Sequence, residues 1–62
     1  MSIVINTSPY TRNKKSVYTI HETKEGREVG RLLHGSVWVL ETINFFTLSE
    51  LKEIVVFMES LT

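Results

Sequence analysis

The C-terminal segment 47–61 limits the fold of this chain more than any other feature, because it has the signature of a capped amphipathic helix. Thr47 and Glu50 have the spacing of a capping box, in which each side chain accepts a hydrogen bond from the backbone amide of the other residue. At about 100° per residue, one apolar stripe is predicted to pack on a core. The stripe contains Leu48, Leu51, Ile54, Val55, Met58 and Leu61. Val56 and Phe57 fall outside it, so the helix carries more apolar surface than one core contact uses. Either these two residues belong to an interface, or Phe57 wraps the edge of the sheet and Val56 is an ordinary exposed apolar residue.

Short runs of β-branched and aromatic residues precede the helix and predict strands. The runs span residues 2–5, 16–23, 28–33 and 37–43. Gly26 and Gly35 lie in the turns between the last three runs, and Gly30 marks either a bulge or a close approach within its strand. Residues 6–16 have no apolar period and are predicted to form a long loop.

The simplest arrangement that buries this pattern is one α+β domain over residues 1–62. It is a three- to four-stranded antiparallel β-meander with one C-terminal α-helix packed across one face. The pattern leaves open which sheet face the helix covers. It also leaves open whether residues 2–5 pair within their own sheet or with another copy of the chain.

Length and the absence of cysteine together favour association. A chain of 62 residues buries only about 60% of the surface that it exposes when unfolded. Without cysteine it has no disulfide or thiolate metal site, so oligomerisation is the remaining device, and an idealised single core is the alternative to it. The missing cysteine also fits a reducing compartment. Because the sequence has no signal-peptide pattern and no apolar run of roughly 20 residues, we expect a cytoplasmic protein with no membrane contact.

No group of residues predicts a reaction, a cofactor or a metal. His21 and His34 are the only histidines, and the chain has neither aspartate nor cysteine to complete a tetrahedral metal site. No serine lies in a nucleophile-elbow pattern, and no glycine-rich loop joins a strand to a helix as phosphate binding requires. We therefore expect a non-enzymatic protein with no cofactor and no small-molecule substrate.

Basic and aromatic residues alternate in one part of the chain and indicate an anionic partner. These residues are Tyr10, Arg12, Lys14, Lys15 and Tyr18. A sheet with stacking aromatics and a cationic rim can bind single-stranded nucleic acid. The order of elements is similar, in layout alone, to that of small sheet-plus-helix proteins that bind single strands as dimers. Against this interpretation, the sequence pI is about 6.7 and the formal net charge is zero, whereas a dedicated nucleic-acid binder has a strong basic footprint.

Charge is nevertheless distributed unevenly along the chain. Residues 12–34 carry six basic and three acidic residues, a local balance of +3, and residues 35–62 carry one basic and four acidic residues, a balance of −3. Two solvated faces account for this pattern without any partner. We favour this interpretation over the sharper one, a dipolar molecule that presents a basic sheet edge to an anionic partner or pairs head to tail with its own copy.

The leading hypothesis is a small binding or regulatory protein that self-associates as a homodimer, or binds a larger protein and modulates or inhibits it. Its predicted interface residues are Val56, Phe57 and Trp38. Arg12, Lys14 and Lys15 would steer it toward an acidic target. Short chains without cofactor motifs are typical of accessory and inhibitor proteins of phages and other mobile elements. The competing hypotheses are a homodimeric single-strand binder and a purely structural subunit.

Overall fold

The computed structural model describes residues 3–23, 26–42 and 45–61. Within these ranges it confirms the α+β class, with five antiparallel strands in one sheet and a C-terminal helix. The elements are β1 (Val4–Ile5), β2 (Tyr10–Arg12), β3 (Lys15–His21), β4 (Glu28–His34), β5 (Trp38–Thr42) and α1 (Leu48–Ser60). Ser2 and Ile43 of the predicted strands, and Lys24 and Glu25 of the predicted turn, lie outside the described residues.

The sheet has the strand order β1-β3-β4-β5, and β2 pairs with β3 on the same side as β1. β1 pairs with β3 of its own chain, in the register Ile5 with Ile20, which answers the question that the sequence left open. A register shift between Ile20 and His21 marks a bulge in the β3–β4 pair. Gly30 lies next to this bulge and also allows a close approach: a Cβ there would be 2.8 Å from the backbone oxygen of Glu41.

The prediction of one continuous loop over residues 6–16 is wrong, because β2 and the start of β3 form a hairpin there. Arg12 pairs with Lys15, and the two residues between them, Asn13 and Lys14, have φ values of +51° and +65°. Two consecutive positive φ values are characteristic of the type I′ turn, whose twist matches that of the flanking strands. The usual sequence signal for this turn is Asn-Gly, and here Lys14 occupies the position of the glycine.

The core lies between one face of the sheet and α1. Its buried side chains are Tyr18, Ile20, Val29, Leu32 and Ile54. Trp38, Phe46, Phe57 and Met58 pack around this cluster and are partly buried. The helix therefore covers the sheet face that carries the even-numbered residues of β3 and β5. No helix in the described part of the chain is long and apolar enough to cross a bilayer.

The capping box at the start of α1 is confirmed. The Thr47 amide donates to Glu50 Oε1 at 2.8 Å, and the Glu50 amide donates to Thr47 Oγ1 at 3.2 Å. Glu50 is buried, since its carboxylate turns back along the helix toward the cap. The helix ends at Ser60, and the amide of the next residue, Leu61, donates to the carbonyl oxygen of Met58 at 3.1 Å.

Candidate interaction surfaces

One side of α1 exposes four large aliphatic side chains, which we call the helix flank. They are Leu48, Leu51, Val55 and Val56, and their exposed fractions are 68%, 38%, 47% and 63%. All four line one shallow groove together with Lys52. Val55 also lines a neighbouring depression with Trp38 and Met58, so the flank borders β5. The result is a continuous apolar surface that runs from the helix to the edge of the sheet.

The helix is rotated relative to the prediction, and this rotation creates the flank. Leu48, Leu51 and Val55 belong to the stripe that was predicted to pack on the core, and they are exposed instead. Ile54 faces the sheet as predicted, but Phe57 takes a place beside it in the core. The physical reason is an aromatic contact: the Phe57 ring meets Tyr18 edge to face at a centroid distance of 5.1 Å, a favoured geometry for aromatic pairs.

The predicted interface residues Val56, Phe57 and Trp38 have different environments. Val56 is exposed on the helix flank. Phe57 and Trp38 are partly buried against the core, where the Trp38 ring lies 6.3 Å from Tyr18 and stacks on His34 at 3.8 Å. Their rings are therefore mainly core groups. The larger apolar surface is made by Val56, which the sequence prediction had placed outside, and by Leu48, Leu51 and Val55, which it had placed inside.

The outer edge of β5 extends the helix flank onto the sheet. β5 pairs with β4 on one side, and within the described ranges no strand pairs with its other side. Leu40 lies two residues after Trp38 on the same, helix-covered face, yet it is 39% exposed. Glu41, the only charged residue of the strand, is in register with Arg31 of β4. The edge thus lacks the lysine or proline that commonly protects edge strands from pairing.

The sheet face opposite α1, which we call the open face, has an apolar row across four strands. In this row Tyr10 pairs with Val17, Val17 with Leu33, and Leu33 with Val39. Val17 and Leu33 are buried, whereas Tyr10 and Val39 at the two ends of the row are exposed. An exposed tyrosine at the end of such a row offers a flat ring to a ligand.

Basic groups border the exposed Tyr10 on the open face. Arg12 and Lys15 face each other across the β2–β3 hairpin and are exposed. Arg31 donates to Glu28 Oε2 at 2.6 Å, and this carboxylate raises the pKa of Arg31, with smaller contributions from Tyr10 and Glu41. The open face therefore combines an aromatic ring with several cations.

The residues that were predicted to contact an anionic partner do not lie on one surface. Tyr10, Arg12 and Lys15 lie on the open face, and Lys14 lies in the turn between β2 and β3. Tyr18 is buried on the other face, between Trp38 and Phe57, and is not available to a ligand. The alternation of side chains along β3 places Val17 and Tyr18 on opposite faces.

The rings of both histidines contact other groups of the same chain. His21 Nδ1 lies 3.2 Å from the Gly26 carbonyl oxygen and Nε2 lies 3.1 Å from Thr19 Oγ1, so both ring nitrogens have partners. His34 stacks on the Trp38 ring with an interplanar angle of 4°. Among the side chains that the structure describes, no group of three histidine, cysteine, aspartate or glutamate residues could hold a metal ion.

No protein-family model matches the chain, and no curated protein or solved structure is significantly similar to it.

Proposed function

We propose that this chain is a small non-enzymatic binding protein of the cytoplasm that self-associates through its helix flank and modulates a larger protein. The observation that carries the proposal is the continuous apolar surface made by the helix flank and the neighbouring edge of β5. Exposed apolar patches that are contiguous and bordered by polar groups mark interaction sites in soluble proteins. Lys52 and Glu53 lie on the same helix and supply exposed polar groups beside the flank.

The energy available from the flank is comparable with the cost of association. Full burial of a leucine or valine side chain contributes about 1.5–3 kcal/mol, and the four flank side chains are about half exposed. Two copies that buried their flanks against each other would gain on the order of 6–13 kcal/mol before costs. Bringing two molecules together costs about 4–15 kcal/mol. The flank alone therefore supports weak association, and a stable dimer needs additional contacts.

Sedimentation equilibrium with two matched helix variants tests the proposal. Val55→Glu places a charge in the flank groove, whereas Ser49→Glu places the same charge on an exposed position of the same helix at the border of the flank, where Ser49 lines a separate groove with Val56. We expect the wild type and Ser49→Glu to sediment above the monomer mass of 7.2 kDa at tens of micromolar, and Val55→Glu to sediment as a monomer with unchanged helical circular dichroism. A monomeric wild type, or a Val55→Glu variant that stays assembled, would contradict self-association through the flank.

Modulation of a larger protein is tested with the same pair of variants. A purified target whose activity changes on addition of the wild type should respond equally to Ser49→Glu and should not respond to Val55→Glu. A target that responds equally to all three proteins would use a different surface.

The open face supports a second candidate function, the binding of single-stranded nucleic acid. The specific observation is the exposed Tyr10 ring bordered by Arg12 and Lys15. Stacking of one base on an aromatic side chain contributes about 1–3 kcal/mol, and neighbouring lysine and arginine residues contact the phosphates. This site lies on the sheet face opposite the helix flank, so both functions can coexist in one molecule.

A salt titration with a labelled oligonucleotide tests the second function. If Arg12, Lys14 and Lys15 contact phosphates, the logarithm of the binding constant should fall with the logarithm of salt concentration with a slope of about −2. Lys15→Ala should reduce this slope by about 0.7, and Lys52→Ala, which removes a lysine from the helix, should leave it unchanged. Binding that ignores salt, or that weakens equally in both variants, would exclude the open face as the contact.

A further inference from the structure

The backbone groups of β5 that face outward can be assigned from one hydrogen bond and the register of the sheet. The Asn6 amide donates to the Thr19 carbonyl oxygen at 2.9 Å, so the backbone groups of Thr19 face β1. Because these directions alternate along an antiparallel strand, those of Tyr18 face β4 and pair with Leu32. The next residue of β4, Leu33, therefore directs its backbone groups toward β5 and pairs with Val39. Because the directions alternate again along β5, the backbone groups of Leu40 and of the residues two positions away point outward, away from β4. The outward-facing residues are Trp38, Leu40 and Thr42.

We propose that two copies of the chain pair along β5 as antiparallel strands, with Leu40 on the two-fold axis. This inference rests on the proposed self-association and names its partner, a second copy, and its contact. In this register Leu40 pairs with Leu40 of the second copy, and Trp38 pairs with Thr42 of the second copy. The outward amides and carbonyls of all three residues on each strand are then satisfied.

Shifting the two-fold axis by one residue in either direction gives a less favourable strand pair. A two-fold axis at Glu41 would set Glu41 opposite Glu41 of the second copy, and like charges directly opposite each other destabilise a strand pair. An axis at Val39 would pair Trp38 with Leu40 and leave Thr42 unpaired. With the axis at Leu40, Glu41 lies opposite Val39 of the second copy and keeps its own cross-strand neighbour, Arg31.

The same axis brings the two helix flanks together. A two-fold axis perpendicular to the sheet keeps both helices on the same face of the extended sheet. Val55 lines a depression with Trp38, so the Val55 part of the flank lies on the β5 side of each helix and faces the axis, whereas Val56 also lines a separate groove with Phe57. Leu40 lies on the helix-covered face of β5, beneath the space between the two flanks. Strand pairing thus supplies the contacts that the flanks lack on their own.

Single-cysteine variants test the register, because the natural chain has no cysteine and each variant can form only an intermolecular disulfide. In the Leu40→Cys variant, the two Cα atoms of the central hydrogen-bonded pair would be about 5.5 Å apart, within the disulfide range of about 4.4–6.8 Å. In the matched Val39→Cys variant the two positions are offset by two residues, and their Cα atoms would be about 8 Å apart, which is too far for a disulfide. We expect oxidised glutathione to convert Leu40→Cys to a covalent dimer and to leave Val39→Cys monomeric on a non-reducing gel.

Amide hydrogen exchange on the wild-type protein supplies a test that needs no substitution. The amides of Trp38, Leu40 and Thr42 should become protected as protein concentration rises, whereas those of Val39 and Glu41 should be protected at every concentration. A wild type that dimerises by sedimentation while these three amides exchange freely, or a preferred Val39→Cys disulfide, would overturn the β5 pairing and leave self-association standing. A wild type that stays monomeric at all concentrations would overturn both.

Discussion

The turn between β2 and β3 contains backbone strain that one substitution can release. Asn13 and Lys14 have φ values of +51° and +65°, in the left-handed region that the type I′ turn requires at both positions. Asparagine visits this region readily, but the Cβ of a lysine there is too close to the following carbonyl oxygen. We therefore predict that Lys14→Gly stabilises the protein.

The magnitude follows from two opposing contributions. Removing the Cβ relieves about 1–2 kcal/mol of steric strain. Glycine increases the conformational freedom of the unfolded chain, which costs about 0.5–1 kcal/mol. The midpoints of the two ranges, about 1.5 and about 0.75 kcal/mol, leave a net increase in the free energy of unfolding of about 0.75 kcal/mol. For a domain of this size, that increase corresponds to a rise in Tm of about 3–6 °C.

Thermal and urea unfolding at one fixed protein concentration would measure the change, since association makes stability concentration-dependent. Lys14→Ala is the matched control, because it removes the charge near Arg12 and Lys15 but keeps the Cβ. We expect Lys14→Ala to change the stability much less than Lys14→Gly. If the two variants were equally stabilised, relief of charge repulsion would explain the gain, and a neutral or destabilised Lys14→Gly would refute the strain argument outright.

Two further pairs of variants test the packing, each measured by urea unfolding followed by circular dichroism. At a protein concentration low enough to keep the wild type monomeric, Ile54→Ala should lower the free energy of unfolding by about 2–5 kcal/mol, because Ile54 is 1% exposed. Val56→Ala, at 63% exposure on the helix flank, should change it there by less than about 0.5 kcal/mol. Gly30→Ala should cost about 1–3 kcal/mol, because its Cβ would lie 2.8 Å from a backbone oxygen of β5. Gly35→Ala should cost less, since its Cβ would meet only a flexible lysine side chain at 3.1 Å. Equal losses within either pair would show that the packing around these positions differs from the one described.

Local sequence signals were sufficient to predict three of the strands. The β-branched runs and the turn glycines predicted β3, β4 and β5 with boundaries within one or two residues over the described positions. β2 was missed because its turn contains no glycine, so the sequence 6–16 resembled a loop. The left-handed conformation of Lys14 is imposed by pairing of the flanking strands, which a local pattern does not contain.

The candidate binding residues were harder to predict, because their placement depends on register. Tyr10 pairs with Val17, and this register puts Tyr10 on the open face while the next residue along β3, Tyr18, enters the core. Two tyrosines that look equivalent in the sequence therefore have opposite environments. A one-residue slip of the β2–β3 pair would reverse the face of Tyr10.

The rotation of α1 connects the fold to its candidate interface. At about 100° per residue, the apolar side chains from Phe57 round through Leu48 to Val56 occupy about 260° of the helix circumference. A single sheet covers an arc of roughly 100°, so about 160° of this arc must remain outside whichever way the helix turns. The observed rotation gives the core to Ile54 and Phe57, whose ring meets Tyr18, and leaves the aliphatic flank beside β5. The exposed helix flank therefore lies next to the unpaired edge of β5. One contact with a second copy can cover the flank and the strand edge together, which is why we favour association over a self-sufficient monomer.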